Sequence, residues 1–273
     1  MTYVVIGIIL IVSSFLFYRA YKNTKDIQLN KININSGKAA KLSSLSILHL
    51  SDLHLENISI TPQELEQKLV GETPDLIALT GDFLDRKRSI PKLRPYLRVL
   101  QKLQPKYGMY AVLGNHDYVL KQDDLSHLKR TLLDFDCTVL QNQNKTVRVD
   151  GQALNIIGID DYSTNRSNLA QAFHDLPAGG INLVLTHDPT IVLDMNERSF
   201  DYLLAGHFHG GQICYPKAYH LVKMGKLARK NIIKGLHMQH GSPFYISEGL
   251  GQTGFNIRIG SRPEITFHTI RAY

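Results

Sequence analysis

Tryptophan is absent from this chain, and cysteine nearly so, with Cys137 and Cys214 the only two. They stand far apart and form no C-x-x-C pair, which excludes a disulfide framework and a thiolate zinc site. Any metal bound here must be held by nitrogen and oxygen, and both thiols are expected to be buried or inert. Internal repeats and low-complexity stretches are also missing. The first eighteen residues carry no charged side chain at all.

What is present is ordinary in bulk. The 273 residues are 43% hydrophobic and 20% charged, enough for one large domain with a sizeable core. Disorder, collagen and coiled coil are excluded by that balance. The formal charge of +7, from 31 Lys+Arg against 24 Asp+Glu, favours anionic partners such as phosphate esters, nucleic acid or an acidic lipid surface.

Tyr3 to Tyr18 (YVVIGIILIVSSFLFY) is almost wholly apolar, and Arg19, Lys22 and Lys25 follow it. A membrane span needs about 20 apolar residues. A cleaved signal peptide would want basic residues ahead of the run and a small-x-small site after it, and neither is present. Residues 1–20 are therefore expected to be a retained single-pass anchor in the cell membrane. Positive charge on the C-terminal flank alone places the following domain on the cytoplasmic side.

Residues 21–41 are polar and basic and read as a linker or a first edge strand, with one domain spanning 42–273. Strands are expected at 45–51, 75–80, 108–113, 181–186, 201–205, 243–247 and 263–270, where short apolar runs end in Ser, Thr, Gly or Asp. Helical spacing marks 62–70, 92–103 and 123–135, with Pro62 placed for a first turn. Asp150-Gly151 between two alternating runs signals a hairpin. The expected fold is α/β: two mixed sheets stacked together, helices outside.

The chemistry-bearing residues follow strand ends. Asp52-Leu53-His54, Gly81-Asp82, Gly114-Asn115-His116-Asp117, Thr186-His187-Asp188 and Gly206-His207-Phe208-His209 each sit just beyond an expected strand. Taken singly, each is more often a cap or a turn. Jointly, they would deliver carboxylate, imidazole and amide to the one crevice where the carboxyl ends of strands converge. Such donors suit Mn²⁺, Fe or Zn²⁺, and so many of them suit two adjacent metals, the arrangement that clamps a phosphoryl group in displacement.

The series DLH, GD, GNHD, TH and GHFH resembles the signature of the calcineurin-like metallophosphoesterases. The extended form GHFHGGQI from Gly206 is similar to a bacterial, membrane-associated branch, as are Gly249-Leu250-Gly251 and Arg262-Pro263-Glu264-Ile265. Some members of that branch cleave the pyrophosphate of a nucleotide-linked glycolipid precursor. The resemblance implies a four-layer α-β-β-α sandwich and two divalent metal ions, Mn²⁺ foremost with Fe or Zn²⁺ as alternatives. It implies that Asp52, His54 and His209 bind one metal, that Asn115, His187 and His207 bind the other, and that Asp82 bridges them. Hydroxide between the metals would attack phosphorus, His116 would stabilise the transition state and could protonate the leaving oxygen, and Asp117 would hold the His116 ring.

The reading is then of a membrane-anchored phosphohydrolase acting on phosphodiester or pyrophosphate bonds, with a lipid-linked or nucleotide substrate. Its expected partners are a phosphate-ester or diphosphate substrate and a membrane lipid surface, with the chain a monomer. A metal-dependent nuclease is the rival, but no aromatic-interleaved basic stretch suited to stacking bases is present. A non-catalytic scaffold would be missing ligands, and none is missing. The basic segment 215–240 (Lys217, Lys223, Lys226, Arg229, Lys230 and Lys234) reads either as a solvated loop or, with Leu221, Val222, Met224, Leu227, Ile232 and Ile233, as an interfacial segment. Arg258 and Arg262, near the last expected strand, could reach the site but are expected to form ordinary surface pairs, and His220, His237, His240 and His268 show no ligand spacing.

Overall fold

The computed structural model describes residues 2–35, 44–195 and 200–271. The end of the expected linker (36–41) and the first residues of the expected domain (42–43) lie outside the described residues. Helix α1 (Thr2–Asn23) is apolar on every face and buries only Ala20. It is long and apolar enough to cross a membrane.

Two six-stranded mixed sheets follow. The first runs β1 (Gln28–Asn35), β12 (Glu264–Arg271), β2 (Leu45–Leu50), β3 (Leu76–Thr80), β4 (Met109–Val112) and β5 (Cys137–Val139) in spatial order. The pairs are parallel except β12 against β2. The second runs β10 (Gly235–Gln239), β11 (Ser242–Ile246), β9 (Tyr202–Ala205), β8 (Ile181–Leu185), β7 (Gln152–Gly158) and β6 (Gln143–Val149). Its outermost pairs are antiparallel and its inner pairs parallel. Residues 28–35 thus form an edge strand, the second of the two readings open for that stretch.

Alternation along the strands builds the layers, because successive side chains point to opposite faces. Leu76 and Ala78 of β3 join Leu154, Ile156, Leu183 and Leu204 in a core between the sheets. Ile77 and Leu79 point the other way, onto α2 (Pro62–Lys68), α3 (Ile90–Gln101) and α4 (Gln122–Leu133). The far face of the second sheet packs against α5 (Leu169–Ala172), α6 (Lys226–Arg229) and short 3₁₀ turns. The result is the expected α-β-β-α sandwich.

Local signals act as read. Thr61 caps α2 in a reciprocal box with Glu64, with Pro62 inside the first turn. Asp150 and Gly151, both at positive φ, turn β6 into β7 with Val149 opposite Gln152. The basic segment after residue 215 is more ordered than a solvated loop. Leu221, Leu227 and Ile233 are buried in the outer core of the second sheet, so only part of its apolar content is available to a surface.

Candidate metal centre

Each expected ligand lies on a loop leaving the carboxyl end of a strand, and backbone bonds zip these loops together. Asp52 N donates to Gly81 O and His54 N to Asp82 O, both at 3.0 Å, while Gly206 N donates to His187 O at 3.0 Å. The loops must turn sharply at once. Asp52, His54, Asp82, His207 and His209 all have φ between 37° and 77°, a left-handed conformation that costs about 1 kcal/mol or more per non-glycine residue. Asp and His tolerate it better than most. Two motif glycines are explained by crowding: a Cβ on Gly114 would stand 2.2 Å from Asp82 Oδ1, and one on Gly206 would stand 2.1 Å from Asp52 Oδ2.

The side chains converge in two groups. Asp52, His54 and His209 form one, Asp82, His187 and His207 the other, each with its candidate ligand atoms within 4.8 Å of one another. A third grouping of His54, Asp82 and His116 places Asp82 between them. His187 Nε2 is 3.0 Å from Asp82 Oδ2, and His209 Nε2 is 3.3 Å from Asp52 Oδ1. Asp52, His54, Asp82 and His187 are essentially without solvent exposure.

Outer partners fix which atoms face inward. His187 Nδ1 donates to Thr80 O at 2.7 Å and His209 Nδ1 to Gly251 O at 3.2 Å, so each ring presents Nε2 to the centre. His54 Nδ1 lies 3.1 Å from Asp85 Oδ1, again freeing Nε2. The amide of His207 donates to both oxygens of Asp52 at 3.1 Å, and that of His116 to Asp82 Oδ1 at 2.8 Å.

These residues fit a pair of divalent cations. His54 Nε2 and Asn115 Oδ1 are buried with no hydrogen-bond partner among the described residues, which is costly unless something absent from the chain satisfies them. His187 Nε2 and His207 Nδ1 face each other at 3.2 Å beside Asp82, two imidazole nitrogens aimed at one point. Burial opposes a charged His187, yet Asp82 and Asp52 outweigh it and raise the ring well above the ordinary histidine range. A potential that draws a proton there would equally hold a metal ion.

His116 and Asp117 are placed differently from expectation. Asp117 does not hold the His116 ring. Its buried carboxylate accepts from the amides of Asp82, Phe83 and Gly114, each at 2.9 Å, and so fixes the shape of the Asp82 loop. Burial and the charge of Asp82 push its carboxyl up to about 7, against those amide donors. The His116 partner is Asp85, whose Oδ1 lies 2.8 Å from Nδ1. Burial opposes a charged His116, but the Asp85 bond and the Asp82 charge raise its pKa. Asp85 follows the Gly-Asp motif by three positions, and a second acid so close to Asp82 was the only signal available.

Arg258 also departs from expectation. It forms no surface pair: its side chain is fully buried, and its guanidinium donates to the carbonyls of Glu248, Gly249 and Gly251 at 2.7 to 3.1 Å. It thereby holds the carbonyl that orients His209. Arg262 does pair at the surface, with Asp26 at 3.0 Å. His268 is buried against Tyr202. His220, in contrast, lines the metal cleft.

That cleft is a cavity of about 380 Å³ bordered by Asn115, His116, His207 and His209, with Phe208, Ile213, Leu221 and Phe255 as an apolar wall. A second cavity of about 440 Å³ shares Asn115, His207 and Met224 with it and adds Tyr162, Ser163, Asn165, Asp188 and Lys223. The two arms meet at the candidate ligands Asn115 and His207.

The sequence resembles several known proteins. The chain is 62% identical over 255 residues to the uncharacterized metallophosphoesterase YkoQ of Bacillus subtilis, covering 93% of this chain and 94% of that one. It is 27% identical over 297 residues to the UDP-2,3-diacylglucosamine pyrophosphatase LpxG of Chlamydia trachomatis, covering 88% of each. It is 28% identical over 243 residues to a bovine transmembrane protein with metallophosphoesterase domain, covering 82% of this chain and 52% of that one. The model of the calcineurin-like phosphoesterases matches residues 45–211, more than half of the sequence, and with the YkoQ likeness it establishes that the chain belongs to the calcineurin-like phosphoesterase family.

Proposed function

We propose that this chain is a membrane-anchored phosphohydrolase that uses two divalent cations to cleave phosphodiester or pyrophosphate bonds. The observation that carries the reading is the 3.2 Å approach of His187 Nε2 to His207 Nδ1 beside Asp82, with a second ligand group adjoining it. Asp52, His54 and His209 would hold one cation and Asn115, His187 and His207 the other, with Asp82 shared. Bound there, the pair would supply a nucleophile from water at neutral pH and offset charge on the phosphoryl group. Mn²⁺ is the cation we expect.

His116 is the proton donor. Asp85 takes its Nδ1, so the proton that leaves toward substrate sits on Nε2, facing the cleft, and passes to the departing oxygen. Two arms leading away from the ligands suit a phosphorus with substituents on both sides, as in a diester or diphosphate, better than a monoester. The pyrophosphatase activity named for the LpxG relative is of the same class. Helix α1 would be the anchor, with Arg19, Lys22 and Lys25 keeping the domain on the cytoplasmic side; a reporter fused to the C-terminus and active on one side only tests this.

The catalytic test is direct. Protein stripped of metal and resupplied with Mn²⁺ is assayed on an aryl phosphodiester and on the matching monoester, alongside His116→Ala. Metal-dependent diester turnover that collapses in the variant supports the proposal. A protein that binds no metal would end it.

A further inference from the structure

The lip of the metal cleft exposes more apolar surface than the fold requires. Phe255, Tyr215, Tyr219, Val222 and Ile213 are 76%, 83%, 64%, 42% and 38% exposed. Single exposed apolar residues are normal, but a group on the rim of a functional cleft marks an interaction site. The surrounding charge is one-sided. Between Tyr202 and Ser247 the sequence holds no Asp or Glu but six Lys and Arg. Of these six, only Lys234 is ion-paired among the described residues, with Glu248 at 3.2 Å.

This lip hangs from the last turn of α1. Arg258 N donates to Ala20 O at 2.9 Å, and Asn23 Nδ2 donates to Arg258 O at 2.8 Å. Phe255 is three residues from Arg258, within roughly 11 Å for any chain conformation. The opposite lip is tied to the same segment: Ile213 pairs with Ile259, and Cys214 N donates to Ile259 O at 2.7 Å. Arg19, the first charge after the apolar run, marks where α1 meets lipid headgroups. Both lips therefore lie within a headgroup layer's reach of that level.

We propose that this rim is a second membrane contact, resting on the reading of α1 as a membrane span. Its aromatic side chains enter the interfacial layer of an anionic leaflet, and the unpaired Lys and Arg side chains meet the phospholipid headgroups. The metal cleft then opens onto the bilayer surface instead of bulk water. Charge complementarity and continuity with α1 favour lipid over a protein partner or a second copy.

The absence of tryptophan gives a clean test. Phe255→Trp places a single indole on the lip, and Tyr219→Trp is a second variant for the same face. Phe15→Trp reports on α1, and Leu133→Trp, at the exposed end of α4, is the aqueous reference. Each full-length variant is reconstituted in vesicles of phosphatidylcholine and phosphatidylglycerol with bromine on the acyl chains near the headgroup. The proposal expects Phe255→Trp emission to be blue-shifted and quenched several-fold more than that of Leu133→Trp, and less so when phosphatidylglycerol is omitted. Strong quenching of Phe15→Trp, with both lip probes no more quenched than the reference, overturns the lip contact and leaves the anchor standing. A blue shift without bromine quenching would mean a protein neighbour and also overturns it. No quenching of Phe15→Trp removes the anchor, and the lip proposal with it.

Discussion

His116 Nδ1 lies 2.8 Å from Asp85 Oδ1, and the same oxygen lies 3.1 Å from His54 Nδ1. One carboxylate on the Gly-Asp loop therefore orients both the proposed proton donor and a proposed metal ligand. Asp85→Asn should lower kcat by about 10–100-fold and weaken metal binding on the His54 side, the usual consequence of losing an outer partner. His116→Ala should lose about 10²–10⁴-fold in turnover with both metals retained. Elemental analysis beside steady-state kinetics separates the two. A metal-free His116→Ala protein would make His116 a ligand.

Asp82 is the carboxylate nearest both ligand groups. Asp82→Ala should reduce metal content at both, by more than the ~10–100-fold change in affinity that accompanies loss of an outer partner, and abolish turnover. Two ions still tightly held in the variant would sink the shared role.

Arg258 satisfies three carbonyls without solvent. Arg258→Met removes these charge-assisted bonds and leaves the Glu248 carbonyl unpaired, while Gly249 O keeps Glu264 N and Gly251 O keeps His209 Nδ1, at a cost of about 3–5 kcal/mol. Thermal melts of the full chain should show a fall of roughly 10 °C, and metal bound near His209 should weaken. An unchanged Tm would mean these bonds are replaced by water.

Glu264 is buried on β12, accepting from Asn30 and Tyr245 at 2.9 and 3.0 Å. Burial, then the charge of Glu248, push its carboxyl up to about 7. A carboxyl raised on folding stabilises the native state while protonated. That stability is complete below the unfolded value near 4.3 and is lost as pH rises toward about 7. Relative to Glu264→Gln, the natural protein should lose roughly 1–3 kcal/mol between pH 4.5 and 7.5. Parallel stability curves for the two proteins across this range would refute the shift.

The residues gathered at the candidate metal centre were legible because each type of signal was local: a donor residue directly after an apolar strand. The sheet core, α2 to α4 and the hairpin at Asp150 were legible for the same reason, since periodicity and turn chemistry act over a few residues. Asp85 and Arg258 were not. The partners of Asp85 lie on other loops, and although those of Arg258 stand only a few residues back in the same segment between β11 and β12, nothing in the sequence shows that three carbonyls will surround it. Asp117 was misread because the role carried over from the family resemblance put it on the His116 ring, whereas its carboxylate turns back to the amides of residues 82, 83 and 114. Leu221, Leu227 and Ile233 show the same limit, since a basic, apolar stretch reads alike whether its apolar residues meet lipid or the second sheet.

The position of β12 has a consequence for how the protein is made. Among the described residues this strand is the last of twelve in sequence, yet it lies between β1 and β2, the first two of them to be made. Gln28–Asn35 has no neighbour in the first sheet other than β12 among the described residues. The first sheet therefore stays open between β1 and β2 until β12 has been made, after every other strand among the described residues. A nascent chain whose first helix is already engaged would complete its fold beside that helix, with the strand that seals the sheet arriving last.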